Sequence, residues 1–310
     1  MLFIPQRIAV IGSGAVGCYY GGQLARHGLD VQFHMRRDLE HVKRHGLTIR
    51  SCQGDFDLPH VHAFGRTEEM GTADLVLITL KATANSSLDA LIPPLMGPQT
   101  LLLTLQNGLG NEEYLAERWG ASRVLGGVCF TCINRTAPGC IEHTAQGQIA
   151  IAGHSPENAA AATGIAALFN RNGVECELAP SIPAVRWRKL VWNIPFNGLA
   201  ILGGGIDTAH ILANPDLRAL TRALMVEVME CSAALGYPLP DWLPEDQFER
   251  TETMRAYRPS SMIDFVEGRE VEVEAIWGEP VRRALAAGVN AGRIESLYRL
   301  ISDAVARRKT

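Results

Sequence analysis

A β-branched run, Arg7–Ile11, passes without a gap into Gly12-Ser13-Gly14-Ala15-Val16-Gly17. A helical pattern follows over 15–27, then a Gly28-Leu29-Asp30 turn and a second extended run over 31–35. Strand, glycine turn, helix, strand is the order that a dinucleotide site requires, and it commits the start of the chain to a parallel α/β sheet. Each glycine has a separate task. Gly12 permits the tight turn, Gly14 lets the backbone approach a pyrophosphate, and Gly17 lets the helix lie close to the strand. With Ser13, Ala15 and Val16 they form the candidate phosphate cradle, where the helix start offers free N–H groups and the positive end of its dipole.

The far end of this unit bears on which nucleotide is held. An NAD site places Asp or Glu about 20 residues past the glycines, to hold the ribose 2′-OH. Here Met35-Arg36-Arg37 stands in that place, and no acid comes before Asp38. A carboxylate repels a 2′-phosphate, whereas a guanidinium grips one bidentately. The expectation is NADPH, with Arg36 as the first contact and Arg37 as a second. The competing reading is a pair of solvated loop arginines.

A chain of 310 residues has room for two domains and a sizeable core. A net charge of −4 without a basic block argues against nucleic acid as the main partner. Seven cysteines, an odd number in a chain of this length, fit free thiols in a reducing compartment. Residues 1–11 run into the first strand without a leader pattern, and no apolar run approaches the ~18 residues of a membrane span. A cytoplasmic protein is expected.

Further along, 39–45 reads as a helix, and 47–51 and 58–64 as strands. The continuous apolar run 74–80 and the run 100–106 suit strands buried on both faces of a parallel sheet. They end in Lys81 and in Asn107-Gly108-Leu109-Gly110-Asn111-Glu112-Glu113, which opens a helix. Ligands of open parallel sheets bind outside the carboxyl ends of the strands, so Lys81 and Asn107 are candidate cofactor residues. A surface lysine and a turn asparagine are the alternatives. Residues 124–133, 140–143 and 148–152 read as three more strands, 159–172 as a helix and 174–178 as a closing strand. Alternation then stops and the periodicity is helical from 182 onward, which places a domain boundary near Ala179-Pro180. Cys129-x-x-Cys132 and Cys140-x-x-His143 have the composition of a zinc site. Positions i and i+3 of a strand face opposite sides, so small buried side chains are the favoured reading and no metal is expected.

The helix opening the second domain carries Lys189, Asn193 and Asn197 at i, i+4 and i+8 amid Trp187, Trp192 and Phe196. An ammonium and two amides on one face among bulky apolar groups describe a cleft wall rather than a solvated face. Pro195 is expected to bend that helix or leave carbonyls free. Ser260-Ser261-Met262 and Glu270-Val271-Glu272-Val273-Glu274 follow, and composition does not say which carboxylate faces inward.

The GSGAVG turn, Leu80-Lys81-Ala82, the Gln106-to-Glu113 loop, the Trp187-to-Asn197 helix, Pro259-Ser260-Ser261-Met262 and the Glu272 segment together resemble the ketopantoate reductase (2-dehydropantoate 2-reductase) family nearly end to end. The resemblance implies an α/β Rossmann-type NADP-binding domain over 1–180. Over 181–310 it implies an all-α domain, like the C-terminal domain of 6-phosphogluconate dehydrogenase, for substrate and dimerisation. It implies NADPH-dependent reduction of ketopantoate to D-pantoate, en route to pantothenate, by a homodimer. Carried over residue by residue, it implies Lys189 as general acid and Glu272 as the carboxylate that binds the substrate hydroxyl and orients that lysine. Asn193, Asn197 and Ser261 become substrate contacts, and Asn107 lies near the nicotinamide ribose. The chain departs from the family where Gly198 replaces a common proline and in the Met262-to-Phe265 and Glu272-to-Trp277 segments. Two other readings stand beside it: a D-2-hydroxyacid dehydrogenase of the same fold acting on another branched or aromatic 2-oxo acid, and a non-catalytic NADPH sensor.

Overall fold

The computed structural model describes residues 3–308. Met1 and Leu2, at the head of the segment read as lacking a leader, lie outside the described residues, as do the last two. The chain divides into two compact units, Met1–Gln106 with Asn111–Ile182, and Asn107–Gly110 with Pro183–Thr310.

The first unit is built on β1 (Arg7–Ile11), α1 (Ala15–Arg26), β2 (Asp30–His34), α2 (Leu39–His45), β3 (Leu47–Ser51), β4 (Phe56–Leu58), β5 (His62–Phe64) and β6 (Ala73–Ile78). It continues with α3 (Leu88–Leu91), β7 (Met96–Thr104), α4 (Asn111–Trp119), β8 (Val124–Ala137), β9 (Cys140–Gly153), α5 (Ala159–Arg171) and β10 (Cys176–Leu178). Among the described residues the strands form one sheet in the order β4-β3-β9-β8-β7-β6-β1-β2-β5, with β10 paired to β9. β1 is parallel to both β2 and β6, and β6 is parallel to β7. This is the Rossmann-like arrangement read from the glycine turn.

Burial explains why the central strands are apolar without alternation. Ile8 and Val10 of β1 pack into one cluster with Tyr20, Leu24 and Phe33. Ala9 and Ile11 pack into another with Val76, Ile78 and Leu102. With both faces covered, a polar residue at either parity would be stranded. Each large aliphatic side chain so buried contributes roughly 1.5–3 kcal/mol.

Two sequence expectations fail here. The run read as one strand over 58–64 is two strands, separated at Pro59, which has no N–H for a ladder. β4 pairs antiparallel with β3, and β5 pairs parallel with β2 at the opposite sheet edge. The segments 140–143 and 148–152, read as separate strands, are one strand, β9, in a long antiparallel hairpin with β8. Register shifts along that hairpin, with positive φ at Gln146 and Gly147, break the alternation that would have shown its length. Cys129 and Cys132 on β8 are buried, and neither is in a disulfide.

The second unit is helical: α6 (Ile182–Leu202), α7 (Thr208–Ala213), α8 (Pro215–Ala234), α9 (Leu243–Met254), α10 (Ser260–Val266), a π-helical turn at Glu274–Gly278, α11 (Glu279–Ala286) and α12 (Gly292–Arg308). The local chemistry of its starts is visible. Asn214 caps α8, its Oδ1 accepting from the N–H groups of Asp216 and Leu217 at 2.9 and 3.2 Å, with Pro215 in the first turn. α6 is the central helix, with Trp187, Leu190, Val191, Ile194 and Phe196 buried. It continues through Pro195. Trp277 donates its indole N–H to the Ile194 carbonyl at 3.0 Å. Among the described residues no helix is long and apolar enough to cross a membrane.

Candidate active site

In the first unit the glycine turn is held from three sides. Gly12 has φ +100°, and a Cβ there would stand 2.3 Å from the Leu80 nitrogen, so the protein itself demands glycine. Thr79, just past β6, donates its hydroxyl to the Gly12 carbonyl at 2.7 Å. Ser13 donates to the His34 carbonyl at 2.9 Å and ties the turn to the end of β2. At Gly17 a Cβ would come within 2.5 Å of Thr79 Oγ1, so helix and strand pack directly.

Gly14 is different. It is exposed, and an added Cβ would meet nothing nearer than the Gly12 carbonyl oxygen at 3.9 Å. Packing does not need a glycine there. Its bare backbone leaves open the face of the turn at the start of α1, where the first N–H groups of the helix are unpaired by the helix itself. These features fit a bound pyrophosphate.

Arg36 and Arg37 leave the end of β2 exposed, while Met35 before them and Asp38 after them are buried. His34 lies in the same corner. Burial holds its imidazole below the usual pKa, a bond to the Gly65 backbone opposes this, and the Arg36 charge lowers it further. Lys81, half-buried, stands just before a short 3₁₀ turn after β6. A polar chain runs nearby: Thr104 donates to Gln106 Oε1 (3.0 Å), Gln106 to Asn85 Oδ1 (2.7 Å), and Asn85 to Asn111 Oδ1 (3.0 Å). These amides satisfy one another where two parallel strands end.

In the second unit, the four residues Asn107–Gly110 pack with the helices, although they join a strand and a helix of the first unit. Two bonds fix them. Leu109 donates its N–H to the Ala275 carbonyl at 2.9 Å, and buried Arg186 donates from Nη1 to the Gly108 carbonyl at 3.0 Å. Gly108, at φ +80°, lies so close to the π-helical turn that a Cβ would be 2.3 Å from the Ala275 oxygen. This loop delivers Asn107 to Lys189, whose Nζ donates to Asn107 Oδ1 at 2.8 Å. Lys189 is half-buried and sits one helical step from Arg186 on α6.

The other predicted residues of this unit are also buried: Asn193 at 8% exposure, Asn197 at 1%, Ser261 at 2% and Glu272 at 6%. Asn197 links two helices, donating from Nδ2 to the Asn193 carbonyl at 3.1 Å and accepting the Ser261 N–H at 2.9 Å. Its amide holds Ser261 in place at the start of α10. The three acids left open by composition separate clearly, and Glu270 is exposed. Glu274 is exposed and engaged outside, with Arg282 at 2.8 Å and the Tyr298 hydroxyl at 2.7 Å. Glu272 is the buried one.

Arg186 escaped the sequence reading. Its signal was a charge three residues before Lys189 and seven before Asn193, on the same polar face of the helix. The tie between Gly108 and Ala275 had no sequence signal, since it joins segments far apart in the chain.

The family model described as ketopantoate reductase PanE/ApbA matches residues 8–156, and its C-terminal counterpart matches residues 181–305. A 2-dehydropantoate 2-reductase from Nostoc sp. is 37% identical, covering 98% of this chain and 97% of that protein. Among solved structures, 2-dehydropantoate 2-reductase from Geobacter metallireducens superposes with TM-score 0.94 at 43% identity, covering 96% of this chain and 99% of that one. The same enzyme from Methylococcus capsulatus gives TM-score 0.88 at 32% identity, covering 98% of each chain. The chain belongs to the ketopantoate reductase family of oxidoreductases.

Proposed function

We propose that this chain reduces 2-dehydropantoate (ketopantoate) to D-pantoate with NADPH, in pantothenate biosynthesis. The observation that carries the reading is the Lys189–Asn107 pair: an ammonium held at 2.8 Å by an amide oxygen, in a helix face lined by buried polar groups. In this reading residues 1–180 are the NADP-binding domain and 181–310 the substrate and dimerisation domain. The nucleotide is held by the Gly12-to-Gly17 turn, with Arg36 on the 2′-phosphate and Lys81 and Asn107 along the nicotinamide half. When bound, it supplies hydride to the substrate carbonyl carbon.

The rest is done by the chain's own residues. Lys189 gives a proton to the carbonyl oxygen as negative charge builds there, and its positive charge stabilises that oxygen beforehand. Asn107 takes one of the three ammonium hydrogens and so directs the other two. Ser261, positioned by Asn197, meets the substrate carboxylate, and Asn193 lines the same wall. Glu272, a buried carboxylate, accepts from the substrate hydroxyl and orients Lys189. Proton donation of this kind contributes about 10²–10⁴ in rate. The proposed setting is the cytoplasm. The proposed assembly is a homodimer through the helical unit, where Leu220, Val226 and Leu285 expose apolar side chains.

The test is a panel of 2-oxo acids assayed with each reduced nicotinamide. The expected result is highest kcat/KM for ketopantoate with NADPH. A higher value for an aromatic 2-oxo acid would move the chain to the D-2-hydroxyacid dehydrogenases, and no turnover of any member would leave a nucleotide-binding protein.

A further inference from the structure

Two exposed arginines are followed at once by a buried acid at the end of β2. Asp38 turns its carboxylate away from solvent to two partners that the sequence does not place near it. Arg135 Nη1 donates to Oδ1 at 3.0 Å and to Oδ2 at 3.1 Å, and the Gly139 N–H donates to Oδ2 at 3.2 Å. Arg135 belongs to the far end of β8, and Gly139 to the turn between β8 and β9. The carboxylate is 10% exposed and the guanidinium 36%.

β8, which carries Arg135, packs against the helix that starts at the glycine turn. The Cys18 thiol, in the first turns of α1, donates to the Ser13 carbonyl at 3.3 Å. Its pKa is pushed up to about 12 by burial first and then by the Asp38 charge, while the Arg135 charge works against both. The acid stands two residues past Arg36, at the end of the strand where the proposed 2′-phosphate would lie. An unneutralised acid there would do what the acid of an NAD site does: favour a free ribose 2′-OH and repel a 2′-phosphate.

We propose that Arg135 is a specificity-determining residue for the nucleotide. By neutralising Asp38 it leaves Arg36 and Arg37 as the net charge at the end of β2, and so permits a 2′-phosphate there. Arg135 acts through Asp38 rather than by touching the cofactor, which makes it a positioning residue. The inference rests on the NADPH reading above.

The experiment measures binary dissociation constants of NADPH and NADH by fluorescence titration, for the wild type, Arg135→Met, Asp38→Asn and the double variant. Arg135→Met keeps the aliphatic stem and exposes the acid. NADPH is expected to weaken about tenfold and NADH to stay within about twofold. In the double variant, NADPH affinity is expected to return to within about threefold of wild type. An unchanged NADPH/NADH ratio in Arg135→Met would overturn the inference. So would a double variant as weak as the single one, since Arg135 would then act directly or only on the fold. Asp38→Asn keeps an acceptor for Gly139 and serves if Arg135→Met does not fold. It should bind NADPH at least as tightly as wild type, and selective loss of NADPH would overturn the inference. A wild-type chain that prefers NADH, with Arg36→Ala affecting neither nucleotide, would sink the cofactor reading itself. A preserved wild-type preference with no effect of Arg135 would sink this inference alone.

Discussion

Lys189 reaches Asn107 across 82 positions of sequence, and the 2.8 Å bond between them depends on a four-residue loop clamped by Arg186 and Ala275. The ammonium is aimed by the backbone of that loop as much as by its own helix.

Gly108 is the weak point of the clamp. A side chain at φ +80° is strained, and its Cβ would overlap the Ala275 carbonyl. Gly108→Ala is expected to destabilise the protein by roughly 2–4 kcal/mol in chemical denaturation. Among molecules still folded, kcat should fall because Asn107 is displaced. Wild-type stability in this variant would show that the loop is loosely held.

Gly12 and Gly14 should behave oppositely, although both sit in one turn. Gly12→Ala meets backbone and is expected to lower Tm strongly. Gly14→Ala meets open space, so Tm should hold within a few degrees while NADPH affinity drops by about tenfold or more. Differential scanning calorimetry and a fluorescence titration on the two variants check this. A Gly14→Ala variant with normal NADPH affinity would remove the pyrophosphate from the turn.

Arg36→Ala should weaken NADPH by about 10- to 100-fold, the worth of one or two charge-assisted bonds, and leave NADH within about twofold. Titration with each nucleotide decides it. Equal losses would count against a phosphate role.

His143 gives the fold an acid-sensitive point. Its Nε2 lies 3.1 and 3.0 Å from the carbonyls of Ala145 and Gln146 and so carries the proton, and Nδ1 accepts the Ser51 hydroxyl at 2.9 Å. Burial lowers its pKa, partly opposed by the two carbonyl bonds. A histidine whose folded pKa lies below its unfolded value of about 6.5 gives its full stabilisation above that pH, and loses it as pH falls through the folded value. Tm should therefore fall as pH drops below about 6.5, and fall less steeply in His143→Gln. Parallel slopes for the two proteins would assign the acid sensitivity elsewhere, His34 being the next candidate.

How much of this was legible in the sequence follows from how local each feature is. Arg7–Ile11, the glycine turn and Ala159–Arg171 declare themselves because adjacent residues fix them. The change to helices after residue 182 was equally plain. β5, by contrast, is three residues long, and only its pairing with β2 makes it a strand. Asn107–Gly110 reads as the end of one strand and the start of one helix, and its attachment to the helical unit comes from contacts with Arg186 and Ala275. In the sequence Asp38 is only the first acid after Arg37, and nothing local places Arg135, 97 positions away, beside it. Chemistry-bearing residue types were visible, but the partners that aim them were not.

The central claim is that Lys189 supplies the proton. It is tested by measuring ketopantoate reduction and binary NADPH binding in Lys189→Ala beside the wild type. The account predicts kcat lower by at least ~10² with the NADPH dissociation constant unchanged. Turnover within a fewfold of wild type, at the same NADPH affinity, would contradict it.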